Sequence, residues 1–251
     1  MFAEERKARI VELVHTNKRI KVNELTEKFK VSESTIRRDL QELEAMGLIK
    51  RTHGGAVSIQ TTGFEPSFKE KEDAYLKEKE YIGELASRFI EDGDTIILDS
   101  GTTTLEIAKR LKGKKVTVLT NSVTIPIELA KSNSVELIVT GGYIRWNTLS
   151  MVGPIANATI KKFRVDKAFI GANGVTIKDG ITTPDINEAT TKRAMIEVAK
   201  EVYVVVDHSK FNKVSFSRIA DIKSIDCIVT DKNVNGKLPE KYKQLGIELL
   251  Y

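Results

Sequence analysis

The sequence contains only one cysteine, Cys227, in 251 residues. A single cysteine cannot form an intrachain disulfide, which excludes a disulfide-stabilised miniprotein and favours a reducing compartment. No uninterrupted apolar run approaches the length of a membrane span, and the N-terminus MFAEERKARI lacks the apolar segment of a signal peptide. These absences predict a cytoplasmic protein without a membrane partner.

The composition is that of a folded protein with a mildly basic balance. Apolar residues make up 41% of the chain and charged residues 30%, which excludes a wholly disordered protein. The net charge is +5, and residues 1–57 contribute most of it, with 12 Lys and Arg against 9 Asp and Glu. This concentration of positive charge in under a quarter of the length indicates that residues 1–57 could carry a basic surface.

Two domains joined by a linker are predicted along the chain. Residues 1–57 form a small N-terminal domain, residues 58–75 a linker rich in polar residues, and residues 76–251 a larger domain. In the small domain, apolar spacing predicts helices over 3–16 and 23–29 and a third helix that begins after Ser32 and stops at Gly47. Two short strands joined at His53-Gly54-Gly55 follow, which completes a winged helix-turn-helix.

The third helix carries the main argument for DNA binding. Because Ile36, Leu40 and Leu43 form its buried stripe, its other face projects Arg and hydroxyl side chains outward. Arg reads guanine or binds phosphate, and Ser and Thr suit either contact. The predicted DNA-contacting residues of this helix and the wing are Ser32, Ser34, Thr35, Arg37, Arg38, Gln41, Lys50, Arg51 and His53.

Alternative interpretations apply to several of these polar residues. An isolated pair of Arg residues would be an ordinary solvated helix face, but here the turn, the core stripe and the basic wing agree. Asp39 is expected to orient Arg37 or Arg38 rather than to touch DNA. Neither His15 nor His208 has metal-ligand spacing around it, so we predict no metal site, and no cofactor is predicted.

The larger domain alternates short apolar strands with helices. Strands are predicted over 95–99, 116–120, 136–140, 166–171, 202–207 and 227–230. Helical patterns over 77–91, 103–111, 123–131, 154–162 and 186–200 separate most of them. This alternation predicts an α/β domain with a mostly parallel sheet, whose ligands bind at the carboxyl ends of the strands.

Polar and glycine-rich clusters recur at those strand ends. The first strand leads into Asp99-Ser100-Gly101-Thr102-Thr103-Thr104, where small residues, hydroxyls and a helix N-terminus suit an oxyanion. Asp99 could accept sugar hydroxyls, whereas Ser/Gly/Thr loops also serve as plain caps. The other predicted ligand contacts at strand ends and nearby are Asn121, Ser122, Gly141, Gly142, Arg145, Gly171, Asn173, Glu188, Lys192, Asp207 and Lys210.

The cations among them have a second interpretation. Arg145, Lys192 and Lys210 could bind a phosphate or be surface charges. Glu188 and Lys192 lie four residues apart, so they could form a simple i,i+4 pair. A small anionic polyol is nevertheless the favoured ligand, because the polar clusters gather at strand ends.

The sequence resembles the DeoR family of bacterial transcription regulators. In the N-terminal domain the resemblance is carried by VSESTIRRDLQELEAMGLIKRTHGGAV. In the larger domain it is carried by KEYIGELA, DGDTIILDSGTT, TNS, TGGYIR, DKAFIGANG and VVVDHSK. The resemblance implies a sequence-specific repressor of sugar-metabolism operons, with a sensor domain similar in fold to ribose-5-phosphate isomerase A and coenzyme A transferases. It also implies that residues 99–104 bind the phosphate of a phosphorylated sugar.

Three functional hypotheses follow. The first is a regulator that binds double-stranded operator DNA as a homodimer or homotetramer and senses a phosphorylated sugar without turnover. The second is a sugar-phosphate isomerase or acyl transferase with a DNA-binding domain. It is disfavoured because the acidic D-G-A-D motif of the isomerase is missing and Gly171-Ala172-Asn173-Gly174 stands at the fourth strand end. The third, an architectural DNA-binding protein, predicts no saturable small ligand.

Overall fold

The structure is a computed structural model that describes residues 2–17, 19–58, 65–130, 132–234 and 236–251. The chain divides into two compact units, Met1–Thr61 and Thr62–Tyr251. We call them the N-terminal unit and the C-terminal unit. The first contains all of the predicted winged helix-turn-helix, and the second all of the predicted α/β domain.

The N-terminal unit consists of three helices and a small antiparallel sheet. Its elements are α1 (Ala3–Asn17), β1 (Arg19–Lys21), α2 (Val22–Phe29), α3 (Glu33–Ala45), β2 (Ile49–Thr52) and β3 (Gly55–Ser58). The strands pair in the order β1-β3-β2. The winged helix-turn-helix predicted from the sequence is therefore confirmed, and β1 is an additional strand that ties the wing to the segment between α1 and α2.

The predicted apolar stripes form the core of this unit. Ile10, Leu25, Ile36 and Leu40 are fully or almost fully buried in one cluster. Gly55 in the wing is required by close packing, because a Cβ there would lie 2.0 Å from the carbonyl oxygen of Ile20. This contact sets the wing against β1 and fixes the strand register.

A buried ion pair joins α1 to α3. The Arg6 guanidinium donates to Asp39 through two hydrogen bonds, of 2.6 Å from Nε and 3.1 Å from Nη2. Both side chains are buried. The expectation that Asp39 orients Arg37 or Arg38 was therefore wrong: Asp39 faces the core side of α3, and its partner comes from a different helix.

The predicted linker over 58–75 contains a helix. Residues 59–64 of it lie outside the described residues, but α4 (Phe68–Asp73) forms within its second half. Ser67 and Glu70 make a capping box at its start, and Phe68 is buried in the C-terminal unit. The sequence contains this capping signal, which the polar composition of the segment obscured.

The C-terminal unit is built around a seven-stranded sheet in which every pair is parallel. Its strand order is β15-β14-β12-β9-β4-β5-β6. The strands are β4 (Thr95–Leu98), β5 (Val116–Thr120), β6 (Val135–Val139), β9 (Val165–Ile170), β12 (Ala199–Val205), β14 (Cys227–Val229) and β15 (Glu248–Leu250). The predicted parallel α/β architecture is confirmed.

Helices cover both faces of this sheet. They are α5 (Leu76–Ser87), α6 (Thr102–Ala108), α7 (Thr124–Leu129), α8 (Pro154–Ile160), α9 (Ile186–Val198) and α10 (Leu238–Lys243). Successive residues of one strand enter different cores: Ile97 belongs to one cluster, whereas Ile96 and Leu98 belong to the other. This alternation explains why the strands are continuous apolar runs.

Short strands that periodicity did not reveal complete the unit. β7 (Tyr143–Arg145) and β8 (Ser150–Val152) form a hairpin, and β10 (Gly174–Thr176), β11 (Gly180–Thr183) and β13 (Ser217–Ala220) form a small sheet. Each has three or four residues, which is too short for a reliable alternating pattern. Within the described residues, no helix is long and apolar enough to cross a membrane.

The Arg6–Asp39 pair generates a stability prediction. Asp39→Ala should destabilise the N-terminal unit by about 2 kcal/mol, because it leaves a buried guanidinium without its acceptor. The measurement is thermal unfolding followed by circular dichroism. Arg9→Ala, which removes an exposed partner of Glu5 in α1, is the matched control and should change little. Equal effects of the two substitutions would contradict the assignment.

Candidate nucleic-acid interface and anion-binding site

The start of α3 is fixed by a hydroxyl cluster. Ser32 is the N-cap, and its side chain accepts the backbone N–H of Thr35 at 3.2 Å. The Ser32 hydroxyl also lies 2.8 Å from that of Ser34 and 2.7 Å from that of Thr35. Ser32 and Ser34 remain exposed, so the cap also presents hydroxyls at the N-terminal end of α3. A recognition helix contacts base edges with residues near this end.

The outward face of α3 carries two arginines and a glutamine. Arg37, Arg38 and Gln41 are all exposed, as the helical spacing predicts. Arg37 pairs with Glu33 at 2.9 Å through Nε, and Arg38 pairs with Glu42 at 3.2 Å. Such exposed i,i+4 pairs are weak, so both guanidinium groups can exchange a carboxylate for a phosphate or a base edge.

The wing adds further basic groups. Lys50 and His53 are exposed, and His53 lies at the turn between β2 and β3. Arg51 is half-buried, and its backbone N–H donates to Glu44 of α3 at 2.8 Å. This bond ties the wing to the recognition helix, so both cationic surfaces belong to one rigid unit.

In the C-terminal unit, Asp99 is the centre of the strand-end site. It follows β4 and is fully buried. Its carboxylate accepts the backbone N–H of Ser100 at 2.7 Å and that of Gly171, after β9, at 3.0 Å. It also pairs with the Lys192 ammonium from α9, which donates in addition to the carbonyl of Gly171 at 3.1 Å. Asp99 is therefore already saturated with donors, and its geometry is that of a counterion for Lys192.

The loop after Asp99 presents hydroxyls and uncapped amides. Gly101 is the N-cap of α6 and has no side chain to cap the helix. The Thr104 hydroxyl donates back to the Gly101 carbonyl at 2.8 Å, which holds the loop. For the hydroxyls of Thr102 and Thr103, no hydrogen bond is shown to any described residue, although both residues are largely buried. Since α6 has only seven residues, these side chains matter more than its dipole.

A second buried carboxylate lies one helical turn before Lys192. Glu188 accepts from Arg145 at 2.5 Å and from the hydroxyls of Thr148 at 2.5 Å and Ser150 at 2.9 Å. Burial raises the pKa of Glu188, but the charge of Lys192 and these donors outweigh it, so the pKa lies below its usual value. Glu188 and Lys192 therefore do not form the i,i+4 ion pair with each other: Lys192 bonds Asp99, and Glu188 bonds Arg145.

The remaining strand-end residues have mixed roles. The Ser122 hydroxyl accepts amides at the start of α7, which is the plain capping role. The Asn121 side chain donates to the Met151 carbonyl at 3.0 Å, and its buried Oδ1 has no partner in the described part of the chain. Asn173 accepts the Thr183 hydroxyl at 3.1 Å.

Glycines and one ion pair complete the predicted set. Gly142 has a φ of +113°, and a Cβ there would lie 2.7 Å from the Val152 carbonyl. Gly142 therefore allows β8 to pack closely against this turn. Gly141 also has a positive φ. Lys210 lies 3.6 Å from Asp207, which follows β12. Burial raises the pKa of Asp207, but Lys210 and Ser209 bring it below its usual value.

Three charged residues at this site were missed by the sequence prediction. Glu65 pairs with Arg145 at 3.1 Å and with Lys71 of α4 at 2.7 Å. Lys79 of α5 is buried and donates to the backbone carbonyl of Lys71. Lys71 and Lys79 belong to a strongly charged stretch that resembles a solvated surface, and Glu65 lies in the polar segment before it. Only Phe68, between the two segments, indicates packing.

Comparisons with known proteins place both units in one family. The DeoR-like helix-turn-helix domain matches residues 6–62, and the DeoR C terminal sensor domain matches residues 75–232. The chain belongs to the DeoR family of transcriptional regulators. The family assignment makes DNA the partner of the N-terminal unit.

The chain aligns with several named relatives over most of their length. It is 37% identical to the HTH-type transcriptional regulator GlpR of Haloferax volcanii, over 100% of this chain and 98% of that protein. It is 34% identical to the HTH-type transcriptional repressor GlcR of Bacillus subtilis, over 100% and 96%. A putative aga operon transcriptional repressor of Escherichia coli O157:H7 is 34% identical, over 98% and 93%.

Two solved structures are similar to this DeoR-family chain at low sequence identity. Ribose 5-phosphate isomerase A from Methanocaldococcus jannaschii is 19% identical, with a TM-score of 0.42 over 55% of each chain. The sorbitol operon regulator SorC from Klebsiella pneumoniae is 13% identical, with a TM-score of 0.40 over 95% of this chain and 97% of that one. Likenesses at this level say nothing about activity.

The Glu188 cluster generates a prediction about pH. Because the folded-state pKa of Glu188 is lowered, its charge stabilises the protein above its unfolded pKa, and this contribution is lost as pH falls towards the folded value. Glu188→Gln should therefore lower the unfolding temperature at neutral pH, and its difference from wild type should shrink below about pH 4.5.

Differential scanning calorimetry between neutral and acidic pH measures this effect. Glu197→Gln, at an exposed position of the same helix, is the control and should follow wild type throughout. A constant gap between Glu188→Gln and wild type across that range would rule out the ionised carboxylate as the stabilising group.

Proposed function

We propose that this DeoR-family regulator represses a sugar-metabolism operon and that its C-terminal unit binds a phosphorylated sugar without converting it. The observation that carries the proposal is the edge of the parallel sheet at which Asp99, Glu188, Lys192 and Arg145 meet buried hydroxyls. Basic groups provide charge for a phosphate, and hydroxyls and carboxylates provide partners for a polyol. Two relatives are named as transcriptional repressors, one of them of an aga operon, which supports the repression of an operon.

Binding without turnover follows from the state of the carboxylates. Interconversion of an aldose and a ketose needs a carboxylate that removes a proton from carbon. Lys192 and two backbone amides already bond the Asp99 carboxylate, so it is not free to take a proton from a sugar carbon. The pKa of Glu188 lies below its usual value, so Glu188 is a weak base. Both act instead as counterions for the cations that meet the ligand.

The alternative of an isomerase is tested by chemistry. Incubation of the protein with a panel of pentose and hexose phosphates should return every sugar unchanged, as analysed by chromatography. Product formed at enzymatic rates would replace the sensor proposal with the enzyme alternative.

Control of DNA binding requires only a change in the population of two arrangements. A ligand that binds one arrangement more tightly shifts the equilibrium towards it by that difference in affinity. We propose a homodimer or homotetramer, since two recognition helices must meet successive major grooves about 34 Å apart. Relief of repression by the sugar is the expected direction.

The DNA-binding surface generates one prediction. Arg38→Ala should weaken operator binding on the order of ten- to hundredfold, because it removes an exposed guanidinium from the outer face of α3. The measurement is a gel-shift titration with a duplex that the wild-type protein selects from a random pool. Arg88→Ala removes an arginine with the same i,i+4 pairing in the C-terminal unit and should leave affinity unchanged. Wild-type affinity in Arg38→Ala would remove Arg38 from the interface.

The strand-end loop generates another prediction. Thr103→Val keeps the shape of the side chain and removes a hydroxyl, so it should abolish the effect of the sugar phosphate on operator binding while DNA affinity stays normal. Asp99→Ala should do the same, since Lys192 loses its counterion. The same titration is run with and without the sugar phosphates.

Thr190→Val is the matched control, because the Thr190 hydroxyl on α9 is exposed and bonds only within its own helix. A normal response to the sugar in both Thr103→Val and Asp99→Ala would refute the pocket assignment.

A further inference from the structure

Lys79 is a buried ammonium with few partners. Only 4% of the residue is exposed. Its Nζ donates to the backbone carbonyl of Lys71, the single acceptor shown for it within the described parts of the chain. An ammonium has three N–H donors, and leaving any of them unsatisfied in a buried place is costly. The site therefore has donor capacity that the protein itself does not use.

The charges that face Lys79 do not neutralise it locally. Asp207, after β12, attracts it, but Lys210 lies 3.6 Å from the same carboxylate. Lys71 of α4 adds a further positive charge, which its own pair with Glu65 at 2.7 Å offsets in part. Two lysines thus share one buried carboxylate, and a third stands beside them.

The remaining acidic neighbour is already engaged. Glu106 of α6 faces Lys79, but its carboxylate pairs with Lys109 at 2.6 Å and with Arg110 at 3.1 Å. It therefore contributes little to balancing Lys79. The surroundings of Lys79 have an excess of positive charge, which suits a bound anion.

Asp207, the carboxylate that attracts Lys79, lies at the same edge of the sheet as the candidate site. Asp207 follows β12, whose neighbour β9 ends at Gly171, and Gly171 contacts both Asp99 and Lys192. Because all of these strands are parallel, their carboxyl ends meet at one edge. A phosphate there can meet cations from α4, α5 and the segment after β12.

We propose that Lys79 is a direct ligand of the phosphate group of the sensed molecule, to which it gives the N–H donors that the protein leaves unused. The inference rests on the proposed function and adds to it the residue that holds the phosphate. The competing explanation is that Lys79 only satisfies a carbonyl of α4 and so supports the fold.

Lys79→Met separates the two explanations, because methionine keeps the length of the side chain and removes the charge. Lys77→Met, at an exposed position of the same helix, is the matched control. The full-length protein is melted with and without inorganic phosphate, with sodium chloride used to equalise ionic strength. Wild type and Lys77→Met should both gain thermal stability with phosphate.

Lys79→Met should behave differently in both conditions. Without phosphate it should melt at the same or a higher temperature than wild type, because a poorly satisfied buried charge is gone. With phosphate its gain should be lost, with phosphate affinity reduced on the order of tenfold or more. A lower melting temperature together with an unchanged gain would assign Lys79 to the support of α4 and overturn the proposal.

The pH dependence provides a second readout. Burial lowers the pKa of Lys79 to about 8, partly opposed by Asp207. Phosphate affinity of the wild type should therefore fall as pH rises through about 8, since the neutral amine no longer attracts a dianion. Asp207, whose pKa is lowered, stays ionised throughout. Calorimetric titrations should show this fall in wild type and Lys77→Met and not in Lys79→Met, and identical profiles would contradict the proposal.

The outcomes also distinguish this inference from the function on which it rests. If wild type responds to phosphate and to phosphorylated sugars and Lys79→Met responds equally, the inference fails and the proposed function stands. If wild type responds to neither, both fail.

Discussion

The candidate site of the C-terminal unit is organised around the ion pair between Asp99 and Lys192. It joins the end of β4 to α9, and Lys192 also reaches the Gly171 carbonyl after β9. Glycine at position 171 leaves room for the Asp99 carboxylate, because a Cβ there would lie 3.3 Å from Asp99 Oδ2, the same oxygen that accepts the Gly171 amide. A buried pair survives only when further hydrogen bonds compensate for lost hydration, and here two backbone amides do so.

The same pairing explains why acidic residues are present at a site that we assign to an anion. Each buried carboxylate holds a cation in place: Asp99 holds Lys192, Glu188 holds Arg145, and Asp207 holds Lys210. Under the proposed function, a phosphate would compete for these cations and would change the contacts of α9, the β7–β8 hairpin and the segment after β12. Such a redistribution of contacts is the kind of local event that can favour one global arrangement over another.

Periodicity and strand-end logic predicted much of the fold from the sequence. Ile36, Leu40 and Leu43 defined the buried face of α3, and therefore its exposed face, because helical spacing is local. The parallel sheet followed from apolar runs separated by helices. The pairing of Arg6 with Asp39 did not follow, since the two residues are far apart in sequence and only the packing of α1 on α3 brings them together.

Some residues of the candidate site follow from the sequence pattern, and others depend on tertiary packing. Residues at strand ends were found because parallel strands bring their ends together. Lys71 and Lys79 were missed because a segment dense in Lys and Glu resembles a solvated surface, and tertiary packing alone buries Lys79. The spacing of Glu188 and Lys192 suggested a local pair, whereas each finds a better partner on another element.

The central claim is that this sheet edge holds a phosphorylated sugar and leaves it unchanged. Phosphorus NMR of a mixture of pentose and hexose phosphates, recorded with stoichiometric protein, tests binding and turnover together. The account predicts that the resonance of one sugar phosphate shifts or broadens while its total intensity stays constant over time. New resonances that grow with time, or a spectrum that the protein does not alter, would contradict it.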